Sequence, residues 1–265
     1  MKPAPFDYSA PETLEEALGL LGDDSRPLAG GQSLVPLLNF RLARPDRLID
    51  LNRVDELAYL RANGDALHIG AMTRQAALER SDVVTARWPL LHQAVRLVGH
   101  AQIRSRGTVG GSVAHADPTA ELPVAFAVLD ARFHLRSPRG SRTLESEELF
   151  LGPLTTALAS DELLVGIEVP ALPNGARTAF VEHARTHGDF AIAGAAVVIA
   201  PGLHAAVGLL GVGPTPVRAS EAERALRYGA ASSEVVALAA AAVDGDHRRA
   251  MVSDLVRRAL EEAMS

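Results

Sequence analysis

The 265-residue sequence predicts a mixed α+β protein in three subdomains, near residues 1–55, 56–170 and 175–265. Three observations carry that expectation. Apolar residues recur with helical and strand periods in alternation along the whole chain. Asn63-Gly64-Asp65 is a hairpin signal between two apolar runs. Pro170-Ala171-Leu172-Pro173-Asn174-Gly175 is the strongest linker signal in the chain. With 48% apolar residues the chain is long enough to bury a sizeable core.

Taken in order, Phe6 and Tyr8 alternate as a short strand does, and Thr13-Leu14-Glu15-Glu16 fits a capping box. Leu14, Ala17, Leu18 and Leu21 follow at helical spacing, with Gly22 expected as the C-cap. Arg26 to Ala29 reads as a strand, Ser33 as the cap of a helix from Leu34 to Asn39, and Leu48 to Leu51 as a buried strand. Pro36 is tolerated in the first turn of that helix. After the hairpin, Thr73 is expected to cap a helix carrying Ala76, Ala77 and Leu78. A second helix follows Pro89, and a third spans Pro118 to Val128. Arg132 to Arg136 alternates as a strand, with a turn at Ser137 to Ser141 and a further strand at Leu163 to Val169. Beyond the linker, Thr178 to Arg185, Ile192 to Ile199 and Ala205 to Leu210 read as strands. Helices near Ser232–Val243 and His247–Ala263 complete the chain.

Composition narrows the chemistry. The formal net charge of −6 argues against a general nucleic-acid surface. There is no cysteine, so the chain offers no zinc–thiolate site and no iron–sulfur cluster of its own. Lys2 is the one lysine, which removes the phosphate-loop and Schiff-base lysines together. No apolar run approaches the ~20 residues of a membrane span. No signal peptide is visible at the N-terminus, so a cytoplasmic protein is expected.

Two glycine stretches stand out: Ala29-Gly30-Gly31-Gln32-Ser33, and Thr108-Val109-Gly110-Gly111-Ser112 running on to Ala114 and Asp117. Glycine admits positive φ and lets a ligand approach the main chain. Successive N–H groups in such turns form anion-binding nests. Two such loops could hold the two ends of one long anionic ligand such as a dinucleotide; equally, each could be a simple turn. Arg104 and Arg106 could face phosphates or solvent. Asp117 and Glu121 could favour a helix N-terminus or accept hydrogen bonds from ribose or ribityl hydroxyls. His183 and His187 lack a third ligand, and Gly208 to Gly213 has the wrong spacing for a nucleotide fingerprint, so both read as ordinary structure.

The ordered set of motifs resembles a known family. It comprises Ala29 to Ser33, Leu48 to Leu51, Thr108 to Ser112, Ala116-Asp117-Pro118 with Glu121-Leu122-Pro123, Glu162 to Pro170, Arg185 to Ala191, and Gly211 to Arg218. Together they are similar to the FAD-binding medium subunit of molybdenum hydroxylases, the xanthine dehydrogenase and aerobic carbon monoxide dehydrogenase family. The resemblance covers essentially the whole chain. It implies two FAD-binding subdomains of the vanillyl-alcohol-oxidase type and a C-terminal subdomain with a three-stranded sheet. It further implies that Ala29, Gly30, Gly31, Gln32, Ser33, Thr108, Val109, Gly110, Gly111, Ser112, Ala114, Asp117, Glu121 and Leu164 contact FAD. Glu121 matches a carboxylate at the adenosine end and Leu164 an apolar contact. Gln32 stands where relatives often carry His, and Ser112 where many carry Asn or Asp. Relatives often have a lysine or aromatic near Val181, so the residues beside the isoalloxazine ring stay open.

The implied activity is oxidoreduction. A large molybdenum-cofactor subunit oxidises substrate, and a small subunit with two [2Fe–2S] clusters relays electrons. This chain's FAD then passes them to an acceptor, within a dimer of heterotrimers. No catalytic side chain is nominated, since the cofactor carries the chemistry. A stand-alone flavin dehydrogenase on the same fold and a non-enzymatic nucleotide-binding protein are the alternatives.

Overall fold

A computed structural model describes residues 2–202 and 204–265. It opens with β1 (Asp7–Ser9), α1 (Leu14–Gly19), β2 (Ser25–Leu28), α2 (Leu34–Asn39) and β3 (Arg47–Asp50). The three strands form a parallel sheet in the order β1-β3-β2. Thr13 caps α1 on the Glu16 N–H, but the Glu16 carboxylate accepts from Glu12 and not from Thr13, so the capping box is half formed. The helix stops at Gly19, well short of the expected Gly22 cap. Ala17, Ile49 and Leu51 bury themselves in a small core with Leu57, Met72 and Leu163.

The next stretch contains β4 (Leu60–Asn63), β5 (Ala66–Gly70), α3 (Gln75–Glu79), α4 (Asp82–Arg87), α5 (Pro89–Leu97), α6 (Ala101–Arg106), α7 (Val109–His115), α8 (Glu121–Val128), β6 (Arg132–Ser137), β7 (Gly140–Leu144), α9 (Ser146–Leu149), β8 (Phe150–Gly152), β9 (Thr155–Thr156) and β10 (Leu163–Pro170). Five of these strands make an antiparallel sheet, β4-β5-β10-β6-β7. Thr73 does not cap α3: its hydroxyl donates to the Tyr59 carbonyl at 2.6 Å, and Arg74 takes the N-cap position. The third expected helix begins at Glu121, because Pro118 to Ala120 form a turn. All eight residues of α8 are buried, so no single face marks it in the sequence.

A register shift in β10 serves two cores. Leu164 pairs with Leu135 and Gly166 with His134, leaving Val165 as the extra residue. A one-residue bulge exchanges the faces of a strand. Before it, Leu163 and Val165 pack into the N-terminal core and Leu164 into the central one; beyond it, Ile167 and Val169 pack into the central core.

The rest of the chain is β11 (Arg177–His183), β12 (Ala193–Ala200), β13 (His204–Leu210), β14 (Val217–Arg218), α10 (Ser220–Arg227), α11 (Ser232–Ala241) and α12 (Asp246–Met264). The three expected strands are joined by the two-residue β14 in an antiparallel sheet ordered β11-β12-β13-β14. One face (Phe180, Ala196, Val198, Ala206) joins the central core. The other (Ala179, Val181, Val197, Val207) packs with Val235, Val252 and Leu260. Burial on both sides explains why β12 reads as an unbroken apolar run.

Candidate functional site

The first glycine stretch links β2 to α2. Gly31 is left-handed at φ 77°, and Ser33 follows in a right-handed conformation. Among the described residues, the N–H groups of Gly30, Gly31, Gln32 and Ser33 donate to no partner. The Ser33 hydroxyl is likewise free, since it makes no cap hydrogen bond. Four successive unpaired amides in a bend are an anion-binding concavity.

The second stretch is not a loop. Val109, Gly110, Gly111 and Ser112 are the first turn of α7, capped by Thr108, whose Oγ1 accepts from Gly111 at 3.0 Å. Its other amides are also committed: Val109 to Thr73, Gly110 to Ala71 and Ser112 to Thr108. Gly110 is required because a Cβ there would lie 2.7 Å from the Ala71 Cα. Thr108, with 2% exposure, and Val109 are buried, the latter in the central core together with Leu164. Val109 and Leu164 are thus buried against the central core, whereas Ser112 is half-buried and Ala114 exposed.

The two stretches lie side by side rather than at opposite ends of a ligand. A Cβ on Gly30 would run into the Arg106 carbonyl and sit 2.8 Å from the Gly107 Cα, and one on Gly111 would meet the Ala29 methyl at 3.5 Å. They make one cradle. Arg104 is excluded from it, being buried and doubly bonded to Glu79 at 2.8 Å while also donating to the Val98 and Gly99 carbonyls. Arg106 is exposed at its edge.

At the far end of α7 the chain turns through Ala116, at φ 50°, into Asp117 and then Glu121. Asp117 accepts from the N–H and hydroxyl of Thr119. Glu121 is 7% exposed. Burial pushes its carboxyl up to about 8; its own backbone N–H opposes the rise, and Glu182 and Asp117 add to it. Glu182, on β11, is raised by burial to about 7, and its Oε2 is buried without a partner. Thr178, on the same face of β11, bonds Gln93 of α5, so this face turns toward the helical layer. The unpartnered oxygen of half-buried Glu182, near the buried Glu121 carboxyl, suits a ligand hydroxyl or amine. Sequence reasoning missed Glu182, Asn52 and Arg74. Among these, only the Asp50-Leu51-Asn52 turn after a strand carried a local signal.

A bend of four unpaired amides packed against the start of α7, with Asp117 and Glu121 beyond its far end, suits an extended anionic ligand that carries hydroxyls, as nucleotide cofactors do. Comparison with known proteins makes the class specific. Residues 4–172 match the family model described as "FAD binding domain in molybdopterin dehydrogenase", and residues 178–263 match "CO dehydrogenase flavoprotein C-terminal domain". The chain is 42% identical to the 6-hydroxypseudooxynicotine dehydrogenase complex subunit alpha of Paenarthrobacter nicotinovorans, over the whole chain and 96% of that relative. It is 39% identical to the carbon monoxide dehydrogenase medium chain of Hydrogenophaga pseudoflava, over 99% of the chain and 98% of the relative. Its structure superposes on carbon monoxide dehydrogenase from Hydrogenophaga pseudoflava with a TM-score of 0.94 at 41% identity, covering 100% and 99% of the two chains. The chain belongs to the FAD-binding medium-subunit family of molybdenum hydroxylases, and it is an oxidoreductase flavoprotein subunit.

Proposed function

We propose that this chain is the FAD-carrying electron-transfer subunit of a cytoplasmic, three-subunit molybdenum hydroxylase assembled as a dimer of heterotrimers. A small subunit with two [2Fe–2S] clusters delivers electrons to it, and a large molybdopterin subunit oxidises the substrate. The observation that carries this reading is the row of four unpaired amides at Gly30 to Ser33 against Gly111. The residues fit the cofactor. The amides and the Ser33 hydroxyl offer donors to a diphosphate, while Asp117 and Glu121 offer acceptors to ribose or ribityl hydroxyls. Bound FAD supplies the redox chemistry, accepting electrons and passing them to an external acceptor.

The chain's own residues bind and orient. Ala29, Gly30, Gly31, Gln32 and Ser33 form the near wall of the cradle, and Thr108, Gly110 and Gly111 fix the opposite wall. Ser112 and Ala114 extend it along α7. Val109 and Leu164 act from behind, by setting the backbone of that wall. The segments 1–55 and 56–170 act as the two halves of the cofactor domain, with 175–265 as a separate subdomain. The absence of cysteine fits this division of labour, because the clusters must then come from another chain.

Affinity purification from the native host, read by mass spectrometry and absorbance, tests the proposal. Yellow protein arriving with a cysteine-rich small chain and a molybdopterin chain is the expected result. Colourless protein that cannot be loaded with FAD would contradict it, and yellow protein arriving alone would shift the reading to a stand-alone flavoenzyme.

A further inference from the structure

A polar chain behind the cradle ties its two walls together. Asp50, at the end of β3, accepts from the Tyr8 hydroxyl and from the Asn52 N–H at 2.9 Å. The Asn52 side-chain amide donates to the Ala29 carbonyl at 3.0 Å, and its Oδ1 accepts from Arg74 at 2.6 Å. The other terminal nitrogen of Arg74 donates to the Arg106 carbonyl. Those two carbonyls bracket Gly30: the first belongs to the peptide that enters it, and the second is the atom a Gly30 Cβ would strike. Asn52 and Arg74 thus grip the main chain where Gly30 passes Arg106 and Gly107; they stand 22 residues apart in sequence, Asn52 in the short turn after β3 and Arg74 at the N-cap of α3.

The charges around this grip favour an anion. Arg74 is half-buried, and among the described residues no carboxylate lies in ion-pair contact with it. Burial and the neighbouring Arg106 hold its pKa down, with Asp50 opposing. Burial pushes the Asp50 carboxyl up, yet the hydrogen bonds from Tyr8 and Asn52, with Arg106 nearby, outweigh it and keep the group below its usual value.

We propose that Asn52 and Arg74 are positioning residues for the cofactor's diphosphate. They lock the passage of Gly30 against Arg106 and Gly107 so that the amides of Gly30 to Ser33 converge before the ligand arrives, and Arg74 adds a positive field behind them. Preorganised donors bind tightly because they lose little freedom on binding. This inference rests on the FAD reading given above.

The test compares three probes on the full chain stripped of flavin: FAD, ADP and riboflavin, which lacks the diphosphate. Asn52→Ala and Arg74→Ala are expected to weaken FAD and ADP roughly tenfold or more, the scale of a lost charged or buried hydrogen bond. Riboflavin binding should hardly move, and the unfolding midpoint should fall only by the few degrees that a lost hydrogen bond costs. Arg74→Lys keeps the charge but cannot span both acceptors, so it should recover part of the loss. Unchanged FAD affinity in correctly folded variants would overturn the inference, as would equal losses for ADP and riboflavin. Asn52→Ala removes only a half-buried amide, so it carries the test if Arg74→Ala does not fold. A wild-type chain that binds neither FAD nor ADP fails at an earlier point, taking the cofactor reading and this inference down together.

Discussion

The two glycine stretches look alike in sequence and do opposite work. At 30–33 the amides are left unpaired, and the bend is held from outside by Asn52 on the Ala29 carbonyl. At 108–112 every amide from Val109 onward is already bonded, and glycine serves to let a helix press against Ala71. On the proposed reading the first stretch is the binding surface and the second the abutment that shapes it. A glycine pair therefore identifies close approach by something, and only the hydrogen-bond inventory says whether that something is a ligand or the protein itself.

The largest expected effect separates the two. Gly110→Ala places a methyl 2.7 Å from both the Cα and the O of Ala71, main-chain atoms with no flexible end to yield. It should cost about 3 kcal/mol or more, visible as a large fall in the thermal midpoint. Gly31→Ala meets Val35 at 3.2 Å but mainly forces a left-handed residue, worth roughly 1–2 kcal/mol. Its main loss should be FAD affinity. If the two variants lose stability and affinity in the same proportion, the division of labour is wrong.

The far end of α7 offers the next test, through pH. Folding lifts the Glu121 carboxyl to about 8, against roughly 4.3 in an unfolded chain. The folded state therefore keeps a proton that the unfolded state has released. This contribution is fully present below the unfolded value and is lost as pH rises toward the folded one. In the flavin-free chain, Glu121→Gln should gain roughly 3–4 kcal/mol relative to wild type between pH 5 and pH 8. Urea unfolding at both pH values would show it. A constant difference between the two proteins would mean that Glu121 is ionised in the fold.

Much of the fold was legible because it rests on local pattern: the hairpin at Gly64 and the strand at Leu48. The helix at 109–115 was not, because adjacent glycines read as a breaker while its cap at Thr108 and its seat on Ala71 are tertiary facts. Helix α10 was missed too; its polar, arginine-rich sequence has a short apolar stripe (Ala222 and Ala225), and Glu223 is buried by its bond to Arg218. The cradle's loop was found from its glycines. Arg74 was not found, and Asn52 was marked only by its turn on Asp50, since the meeting of the turn after β3 with the start of α3 is a tertiary contact.

The smallest effect is the sharpest probe, because it compares two hydroxyls at matching helix starts. Thr108 and Ser33 both occupy N-cap positions, yet only Thr108 accepts a hydrogen bond from its helix. Thr108→Ala should cost about 1 kcal/mol, the usual value of a lost cap. Ser33→Ala deletes no bond within the protein and should change stability by less than about 0.5 kcal/mol. The order should invert for the cofactor. Ser33→Ala removes a free donor from the cradle mouth and should weaken FAD binding several-fold, about what one hydrogen bond contributes. Thr108→Ala leaves the amides of 30–33 in place and should weaken it less. Chemical unfolding paired with flavin-fluorescence titration reads both quantities on the same samples. Should Ser33→Ala destabilise the chain as much as Thr108→Ala does, the first stretch is an ordinary helix start, and the contrast between abutment and binding surface collapses.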